Sequence, residues 1–479
     1  MTRERMRYIY LLLIFLLPTQ FGKHFWPSFS FIAGLRVDYL SPTLYITDIL
    51  IFILFVLCAY KAAFHTWKIL NSKSEARNPK QKIKSKKINN KTSFEFIYFV
   101  FRHCFDIRYL IFGFLIIAII IGIFFAKNQP VALYGFVKVL EMGFFGWYTS
   151  RVVGKTIAIN HVVVAFGLGA VFESFLAISQ FYSHGSLGGV FYFFGERTFS
   201  SLTPGIANAS ISGQLFLRPY GTLPHPNVLA GFLLIGIIFI TMQWKQFGKN
   251  MRIFALSVLF SAVIALLLTL SRTTIFLFFL LSFFSIIFFL RHPEHQRGSR
   301  KILRFTQNDK ILWGIGGLGI VGGLGIFGSV LIGRFMSTSF LEEAFVVRAD
   351  LFKNAWWMIS NHPFFGVGLM NFLVRLPSYQ HTYSYYQYLQ PVHNIFLLIF
   401  AEIGVIGFSL ILYLLYKTLR HVYYASVTPV RLACLLMLIS IFFLGMFDHY
   451  FLTLQSGQLL LAFVIGVCWS LKSIKRKKK

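Results

Sequence analysis

Charged side chains are scarce in this sequence of 479 residues, where Asp, Glu, Lys and Arg together make up 13%. An average soluble domain has about a quarter, so this chain has too few polar side chains to cover a water-facing globule. Hydrophobic residues make up 56%, and the runs 109–126, 253–270 and 457–471 contain no charged side chain. Such runs approach the roughly 20 residues that cross a bilayer core, where a helix satisfies its own backbone groups. The scarcity of charge therefore excludes a soluble protein and predicts membrane helices.

Cysteine is also rare, and the four residues present lie in or beside apolar segments without a Cys-x-x-Cys spacing. We therefore expect neither a disulfide bond nor a thiolate metal site. No Asp-x-Asp-like pair of carboxylates occurs in the segments predicted to lie outside, which leaves a divalent metal without obvious ligands. The sequence accordingly predicts no metal and no cofactor.

Basic residues outnumber acidic ones by 46 to 16, which gives a formal net charge of +30. A charge of this size is compatible with nucleic-acid binding, but the cations form short blocks between apolar runs. This distribution is typical of the cytoplasmic loops of membrane proteins and argues against nucleic acid as a partner. The most basic block, 65–93, is predicted to be a cytoplasmic loop that faces lipid headgroups. Arg3, Arg5 and Arg7 at one end, and the Lys-rich segment 472–479 at the other, predict that both termini are cytoplasmic.

The predicted fold is all-α, with one polytopic membrane domain over residues 1–479 and about 12 transmembrane helices. The alternation of basic blocks places segments 183–226 and 334–394 on the outer side. The second of these segments contains a helical stretch at 347–359, which precedes span ten. In chain order, the predicted spans are 8–17, 44–64, 109–126, 131–150, 161–182, 227–243, 253–270, 274–290, 311–333, 395–416, 432–450 and 457–471.

Some basic residues depart from the preference for cytoplasmic loops, because they lie in an outer segment or within a span. A charge within a span is energetically costly, so these positions indicate a possible function. Arg272 lies in a tight outer turn between two spans, which suits either a binding site for an anion or an anchor that reaches the headgroups. Lys138 and Glu141 are three residues apart within span four, where Lys138 either binds a ligand or is neutralised by Glu141. Arg348 begins the outer helical stretch and is a second candidate for an anion; a salt bridge to a nearby Glu is the alternative.

The segment Arg218-Pro-Tyr-Gly-Thr-Leu-Pro-His-Pro-Asn227 leads into span six. Its prolines favour a rigid turn that delivers His225 and Asn227 to the outer end of that span. These side chains contribute to a site with Arg218, or the segment is only an ordered turn with Asn227 as the N-cap of the helix.

His393 and Asn394 begin span ten, at the end of the longest outer segment. A helix N-terminus disfavours a charged imidazole, and a neutral imidazole can accept a proton as a general base. The alternative is a hydrogen-bonded His beside an Asn cap. Asp448 and His449, near the outer end of span eleven, form a second polar pair.

Guanidinium groups and one imidazole at an outer lipid interface indicate a particular chemistry. Arginine binds phosphate oxygens through paired, planar hydrogen bonds, so two or three arginines can hold a polyprenyl diphosphate as a leaving group. His393 can take a proton from the hydroxyl group of an acceptor. The sequence therefore predicts transfer of a lipid-linked glycan.

The chain resembles the O-antigen ligase family, membrane enzymes that join or polymerise lipid-carried glycans. The family motif H-[NSQ]-x9-G-x-x-[GTY] is matched by His393-Asn394, Gly404 and Gly407, and the likeness extends over about 218–407. One departure is that the family pattern R-x3-L, read from Arg348, meets Phe352, with Leu351 one residue early.

The resemblance implies a GT-C-type helical fold in the bacterial inner membrane, metal independence, and an undecaprenyl-diphosphate glycan as donor. It also implies a histidine base and arginines at the diphosphate, carried here by His393, Arg272 and Arg348, with Arg218 and Lys138 as further candidates. The acceptor stays open between a glycolipid such as lipid A core, a growing glycan and a protein. A glycolipid transporter or flippase, and a scaffold that binds glycolipid without turnover, are the alternatives from other classes.

Overall fold

The computed structural model describes residues 2–75, 107–211, 214–291, 328, 332–333, 343–380, 389–426 and 428–472. Almost all of predicted span nine (311–333) and most of the basic loop 65–93 lie outside the described residues.

The structure is mostly helical, and each predicted span except the ninth overlaps a helix. The helices are α1 Thr2–Phe15, α2 Ile46–Glu75, α3 Ile107–Phe125, α4 Gln129–Val152, α5 Ile159–Ser183, α6 Pro226–Gln243, α7 Lys249–Leu268, α8 Arg272–Arg291, α9 Glu343–Asn361, α10 Phe372–Arg375, α11 Ile395–Tyr423, α12 Pro429–Gly445, α13 Tyr450–Thr453 and α14 Gln455–Ser470.

Among the described residues, five helices are long and apolar enough to cross a membrane, namely Ile46–Phe64 within α2 and the whole of α5, α6, α7 and α11. Shorter apolar helices lie within α3 and α8 and form α12 and α14. These helices fit a polytopic membrane protein, and the count of 12 spans stays a prediction.

The all-α prediction is wrong in detail, because three antiparallel two-stranded ladders occur among the described residues. They lie between α1 and α2 and between α5 and α6, where the sequence analysis expected only irregular outer segments. These strands are too short for an alternating pattern of apolar residues to predict them. The pairs are β1 Gly22–His24 with β4 Thr43–Tyr45, β2 Phe31–Ile32 with β3 Leu35–Arg36, and β5 Asn208–Ile211 with β6 Gln214–Leu217.

Helix α2 continues to Glu75, well past the point where the sequence analysis began the loop 65–93. The first proline after span two is Pro79, and no glycine occurs between His65 and Glu75. Nothing in this stretch therefore breaks the helix, although its side chains become polar.

Helix α6 lies at the centre of the largest hydrophobic core and packs against α5, α7, α12 and α14. Its side chains are apolar on all faces and mostly buried, which is the pattern of a helix surrounded by other helices. Helix α14 also packs along α4, and α11 packs against α3 and α9. The N-terminal ends of α6 and α11 are therefore fixed by packing.

Helix α11 is kinked at Gly404, whose φ of 64° lies in the left-handed region. The kink frees backbone groups, and the segment after α9 pairs with them. Val367 N donates to the carbonyl of Ala401 at 2.8 Å, and Val405 N donates to the carbonyl of Pro363 at 2.7 Å. Gly404, the first glycine of the predicted motif, thus allows part of the 334–394 segment to dock onto α11.

Replacing Gly404 with alanine is expected to destabilise the protein by about 2 kcal/mol or more. A Cβ at this position would collide with the backbone of Phe364, and the positive φ adds backbone strain. Thermal denaturation of the detergent-purified protein, followed by size-exclusion chromatography, measures the effect.

Gly113→Ala is the matched control. Gly113 lies within α3, and a Cβ there meets no atom within 4 Å, so alanine should preserve or slightly raise the melting temperature. Equal melting temperatures for Gly404→Ala and Gly113→Ala would contradict the role assigned to the kink.

Candidate active site

Arg218 is buried in the segment between β6 and α6, with 8% of its surface exposed. Its Nε donates a hydrogen bond to the carbonyl of Thr269 at 2.8 Å, and its Nη2 donates to Oδ1 of Asn227 at 2.7 Å. Thr269 follows α7 and Asn227 lies in the first turn of α6. The charged guanidinium therefore ties two helix ends together and orients the Asn227 amide.

His225, rather than Asn227, is the N-cap of α6. Its Nδ1 accepts a hydrogen bond from the backbone N–H of Asn227 at 3.1 Å, so the imidazole carries its proton on Nε2. Burial and the nearby Arg218 charge lower the pKa of His225 to about 3. The alternative that made Asn227 the N-cap, a position where asparagine is common, is therefore wrong.

The Asn227 side chain continues the chain of hydrogen bonds to Asp448. Asn227 Nδ2 donates to Oδ2 of Asp448 at 3.0 Å, and the backbone N–H of His449 donates to Oδ1 at 2.8 Å. Burial alone would raise the pKa of Asp448, but the His449 and His393 imidazoles and the Asn227 amide stabilise the carboxylate and lower it. Arg218, Asn227 and Asp448 thus form one connected network.

His393 lies against His449, with ring centroids 5.0 Å apart at an angle of 70°. Nδ1 of His449 is 2.7 Å from the hydroxyl oxygen of Thr453, which fixes that ring. The buried Nδ1 of His393 has no hydrogen-bond partner among the described residues. His393 is therefore held in place by packing and keeps a free nitrogen.

The pKa of His393 is lowered to about 4, chiefly by burial; the nearby Arg348 charge lowers it further, and the Asp448 carboxylate opposes the shift. The helix dipole predicted a neutral imidazole, whereas the principal cause of the low pKa is removal of the ring from water. Burial likewise lowers the pKa of His449. At neutral pH both rings are uncharged and able to accept a proton.

These groups border a cavity of about 570 Å³. Its size falls in the range of sites for small organic ligands. The predicted site residues that line it are Lys138, His225, Asn227, Arg348, His393, Asp448 and His449. Tertiary packing thus gathers onto one cavity side chains from five separate parts of the chain.

Arg348 reaches this cavity from α9, and its side chain is exposed. Leu351 is buried and Phe352 is 52% exposed, so the leucine displaced by one residue from the family pattern still packs into the core. The pairing predicted with Glu342 or Glu343 concerns side chains outside the described residues.

Lys138 is doubly paired. Its Nζ lies 2.6 Å from Oε2 of Glu141, as the sequence analysis allowed, and 3.0 Å from Oδ1 of Asp48. Asp48 lies in α2 and also accepts a hydrogen bond from Gln455, so the cluster joins α2, α4 and α14. Lys138 lines the cavity with its charge already compensated by two carboxylates.

Arg272 is the first residue of α8 and is half-buried. It follows by three positions Thr269, whose carbonyl binds Arg218, but it is not among the described residues that line the cavity. Asn394 caps α11 by accepting from the N–H groups of Phe396 and Leu397 at 2.9 and 3.0 Å. The structure thus leaves Arg218, Arg272 and Asn394 outside the lining.

Two carboxylates that the sequence analysis overlooked, the buried Glu173 and the half-buried Glu402, anchor the loops around the site. Glu173 of α5 accepts from the backbone N–H and the hydroxyl of Thr222 at 2.8 and 2.7 Å. Glu402 of α11 accepts from the backbone N–H groups of Met370 and Phe372. Each lies in an apolar helix, where a carboxylate needs such donors.

Arg197 and Tyr39 also line the cavity, although the sequence analysis singled out neither. Arg197 is exposed, and its Nη2 donates to the carbonyl of Pro224 at 3.0 Å. As a cation in a segment predicted to lie outside, it carried the same signal that selected Arg218. Tyr39 has no comparable signal, because its position depends on how the segment before α2 folds.

One group among the described residues has the donors for a metal ion. His393, Asp448 and His449 each offer a ligand atom, and these atoms lie within 4.8 Å of one another. Zinc bond lengths of about 2.0–2.1 Å place the ligands of a tetrahedral site roughly 3.3 Å apart. Each carboxylate oxygen of Asp448 also accepts one hydrogen bond, from Asn227 Nδ2 and from the backbone N–H of His449.

Residues 256–412 match the model of the O-antigen ligase family. The matched part contains Arg272, Arg348 and His393, and the resemblance inferred from the histidine motif is thereby confirmed. No curated protein shows a significant match to the chain.

Proposed function

We propose that this protein transfers a polyprenyl-diphosphate-linked glycan to the hydroxyl group of an acceptor during assembly of a cell-surface polysaccharide. The O-antigen ligase domain at 256–412 supports a glycosyltransferase-like role in a membrane. The observation that carries the proposal is the convergence of His393, Arg348 and the Asp448 network on one cavity.

In the proposed reaction, the acceptor oxygen attacks the anomeric carbon of the donor sugar. The bond from that carbon to the diphosphate oxygen breaks, and polyprenyl diphosphate leaves with the bonding electrons. His393 takes the acceptor proton, and the Asp448 carboxylate stabilises the imidazolium that forms. Arg348 and Arg197 stabilise the negative charge that develops on the diphosphate.

Arg218 is assigned a positioning role, because its guanidinium is bonded to Asn227 and Thr269. The proposal further places the protein in the bacterial inner membrane, with a GT-C-type fold, both termini in the cytoplasm and the cavity on the extracytoplasmic side. The reaction needs no metal, since the imidazole and the guanidinium groups supply proton transfer and charge stabilisation. Arg272 is proposed to contact the donor at the membrane interface.

Reconstitution of the protein in liposomes with a polyprenyl-diphosphate oligosaccharide tests this proposal. Lipid A core, a free glycan and a protein are offered as acceptors, and mass spectrometry detects the products. The expected result is an acceptor heavier by the oligosaccharide, with release of polyprenyl diphosphate. Transbilayer movement of the donor without any heavier acceptor would instead indicate a flippase.

The transfer rate is expected to fall to half its maximum at about pH 4, well below the pKa of about 6.5 of an unperturbed histidine. Neutral His393 is the base, so the rate stays constant while the imidazole is unprotonated and falls as the pH drops through its pKa. Measurement of kcat/KM against pH on the reconstituted protein checks this.

Size-exclusion chromatography at the lowest pH, and recovery of the rate when the pH is raised again, exclude unfolding as the cause. A half-maximal rate near pH 6.5 would show that His393 is solvated or that another group is the base.

A further inference from the structure

The cavity extends from the histidines onto the segment between α1 and α2, to which the sequence analysis gave no function. This segment, 20–45, lies outside the part of the chain that matches the family. Its side chains that line the cavity include His24, Asp38, Tyr39 and Tyr45. We call this surface the N-terminal wall.

The N-terminal wall is built on ordered backbone. Strands β1 and β4 pair His24 with Thr43, and Oγ1 of Thr43 lies 2.8 Å from Nδ1 of His24. The backbone N–H of Thr43 donates to the Tyr134 hydroxyl of α4 at 3.3 Å. Leu40 is 1% exposed and packs in a core with residues of α4, α9 and α11. The wall is therefore held at a fixed position relative to the helices.

Tyr39 connects this wall to the reacting groups. Its ring lies edge-on to His449 at a centroid distance of 5.6 Å, and His449 in turn contacts His393. A molecule that touches Tyr39 inside the cavity is thus separated from the proposed base by the His449 ring alone.

The chemistry of the N-terminal wall suits a sugar ring. Half-exposed phenol rings stack on the C–H faces of pyranoses, and an exposed carboxylate accepts hydrogen bonds from neighbouring hydroxyl groups. Asp38 is exposed and only 3.8 Å from the equally exposed Arg36, a surface pair that binds weakly. Among the described lining residues, the wall contributes this carboxylate and no Lys or Arg, which disfavours phosphate.

We propose that the N-terminal wall is a glycan-binding subsite, which seats a sugar ring next to His393 through Tyr39 and Asp38. This inference rests on the proposed function, because it assigns a glycan to the same cavity. The donor and the acceptor both carry sugars, and the shared chemistry is a neutral or amino-substituted pyranose.

Binding of free oligosaccharides to the detergent-purified full-length protein, measured by saturation-transfer NMR and titration calorimetry, tests the subsite. One arm uses the donor oligosaccharide without its diphosphate, and the other uses an acceptor oligosaccharide. Tyr39→Ala is expected to weaken binding of one of them about 10-fold, and Tyr39→Phe should retain most of the affinity. Asp38→Asn, which changes an exposed side chain, should weaken binding of the same oligosaccharide several-fold.

Phe31→Ala is the matched control, since Phe31 is an exposed aromatic residue of the same segment that does not line the cavity. The subsite would be overturned if neither oligosaccharide bound, or if Phe31→Ala and Tyr39→Ala lowered the affinity equally. An interfacial aromatic patch would then explain the wall. Tyr39→Ala should also raise KM more than it lowers kcat.

The two proposals fail in distinguishable ways. Oligosaccharide binding that depends on Tyr39, in a protein that transfers no glycan to any acceptor, would refute the transferase and keep the subsite. Normal KM in the Tyr39→Ala and Asp38→Asn variants of an active transferase would refute the subsite alone.

Discussion

His393→Ala is expected to reduce glycan transfer by about 10²–10⁴-fold while the protein still folds and inserts. The imidazole is the only group assigned to remove the proton from the acceptor, and alanine cannot accept it. Nδ1 of His393 has no hydrogen-bond partner among the described residues, so removing this atom breaks no hydrogen bond to them. Initial rates of transfer in reconstituted liposomes measure the effect.

Added imidazole should restore part of the activity of His393→Ala, which a purely structural role would not allow. His161→Ala is the control, since this exposed histidine in the first turn of α5 does not line the cavity. A His393→Ala protein with normal turnover would remove His393 from the mechanism.

Arg348→Ala is expected to lower the rate of transfer by about 10²–10³-fold, since it removes a guanidinium assigned to the developing charge on the leaving group. Arg348 is exposed in the cavity, so the substitution leaves the core of α9 intact. Its charge also helps to lower the pKa of His393, so the acid limb of the pH profile should move upward, toward the ordinary histidine value. Rates and pH profiles on the same preparation measure both effects.

Arg348→Lys should recover only part of the rate, because an ammonium group keeps the charge but not the paired hydrogen bonds of a guanidinium. Lys353→Ala is the control on the same helix, where the ammonium group lies 4.8 Å from the Trp357 ring centroid and does not line the cavity. Equal rates for Arg348→Ala and Lys353→Ala would exclude Arg348 from the diphosphate site.

Helix positions were predictable because each apolar run must satisfy its backbone hydrogen bonds locally. The predicted run 161–182 corresponds to α5 and 227–243 to α6, with differences of one or two residues. Helix ends were less certain: α2 runs on through a polar stretch that contains no breaking residue, and His225 took the capping role expected of Asn227.

The residue types of the site were also predictable, because cations and imidazoles are energetically costly at the edge of a membrane and their presence there indicates a function. Their partners were not. Asn227 and Asp448 are 221 positions apart, and Asp48 and Lys138 are 90 positions apart. No local pattern reports such contacts, because they depend on which helices pack together.

By itself, the sequence determined that the chain forms apolar helices, and it marked the histidine and arginines that bear the proposed chemistry. Only the tertiary structure decided that Lys138 is compensated by Asp48 and Glu141, that burial keeps His393 neutral, and that Tyr39 lies beside the histidines. The physical reason is that helix formation is a local balance of backbone hydrogen bonds and apolar side chains. The protonation and reach of a side chain depend instead on every group that packing brings around it.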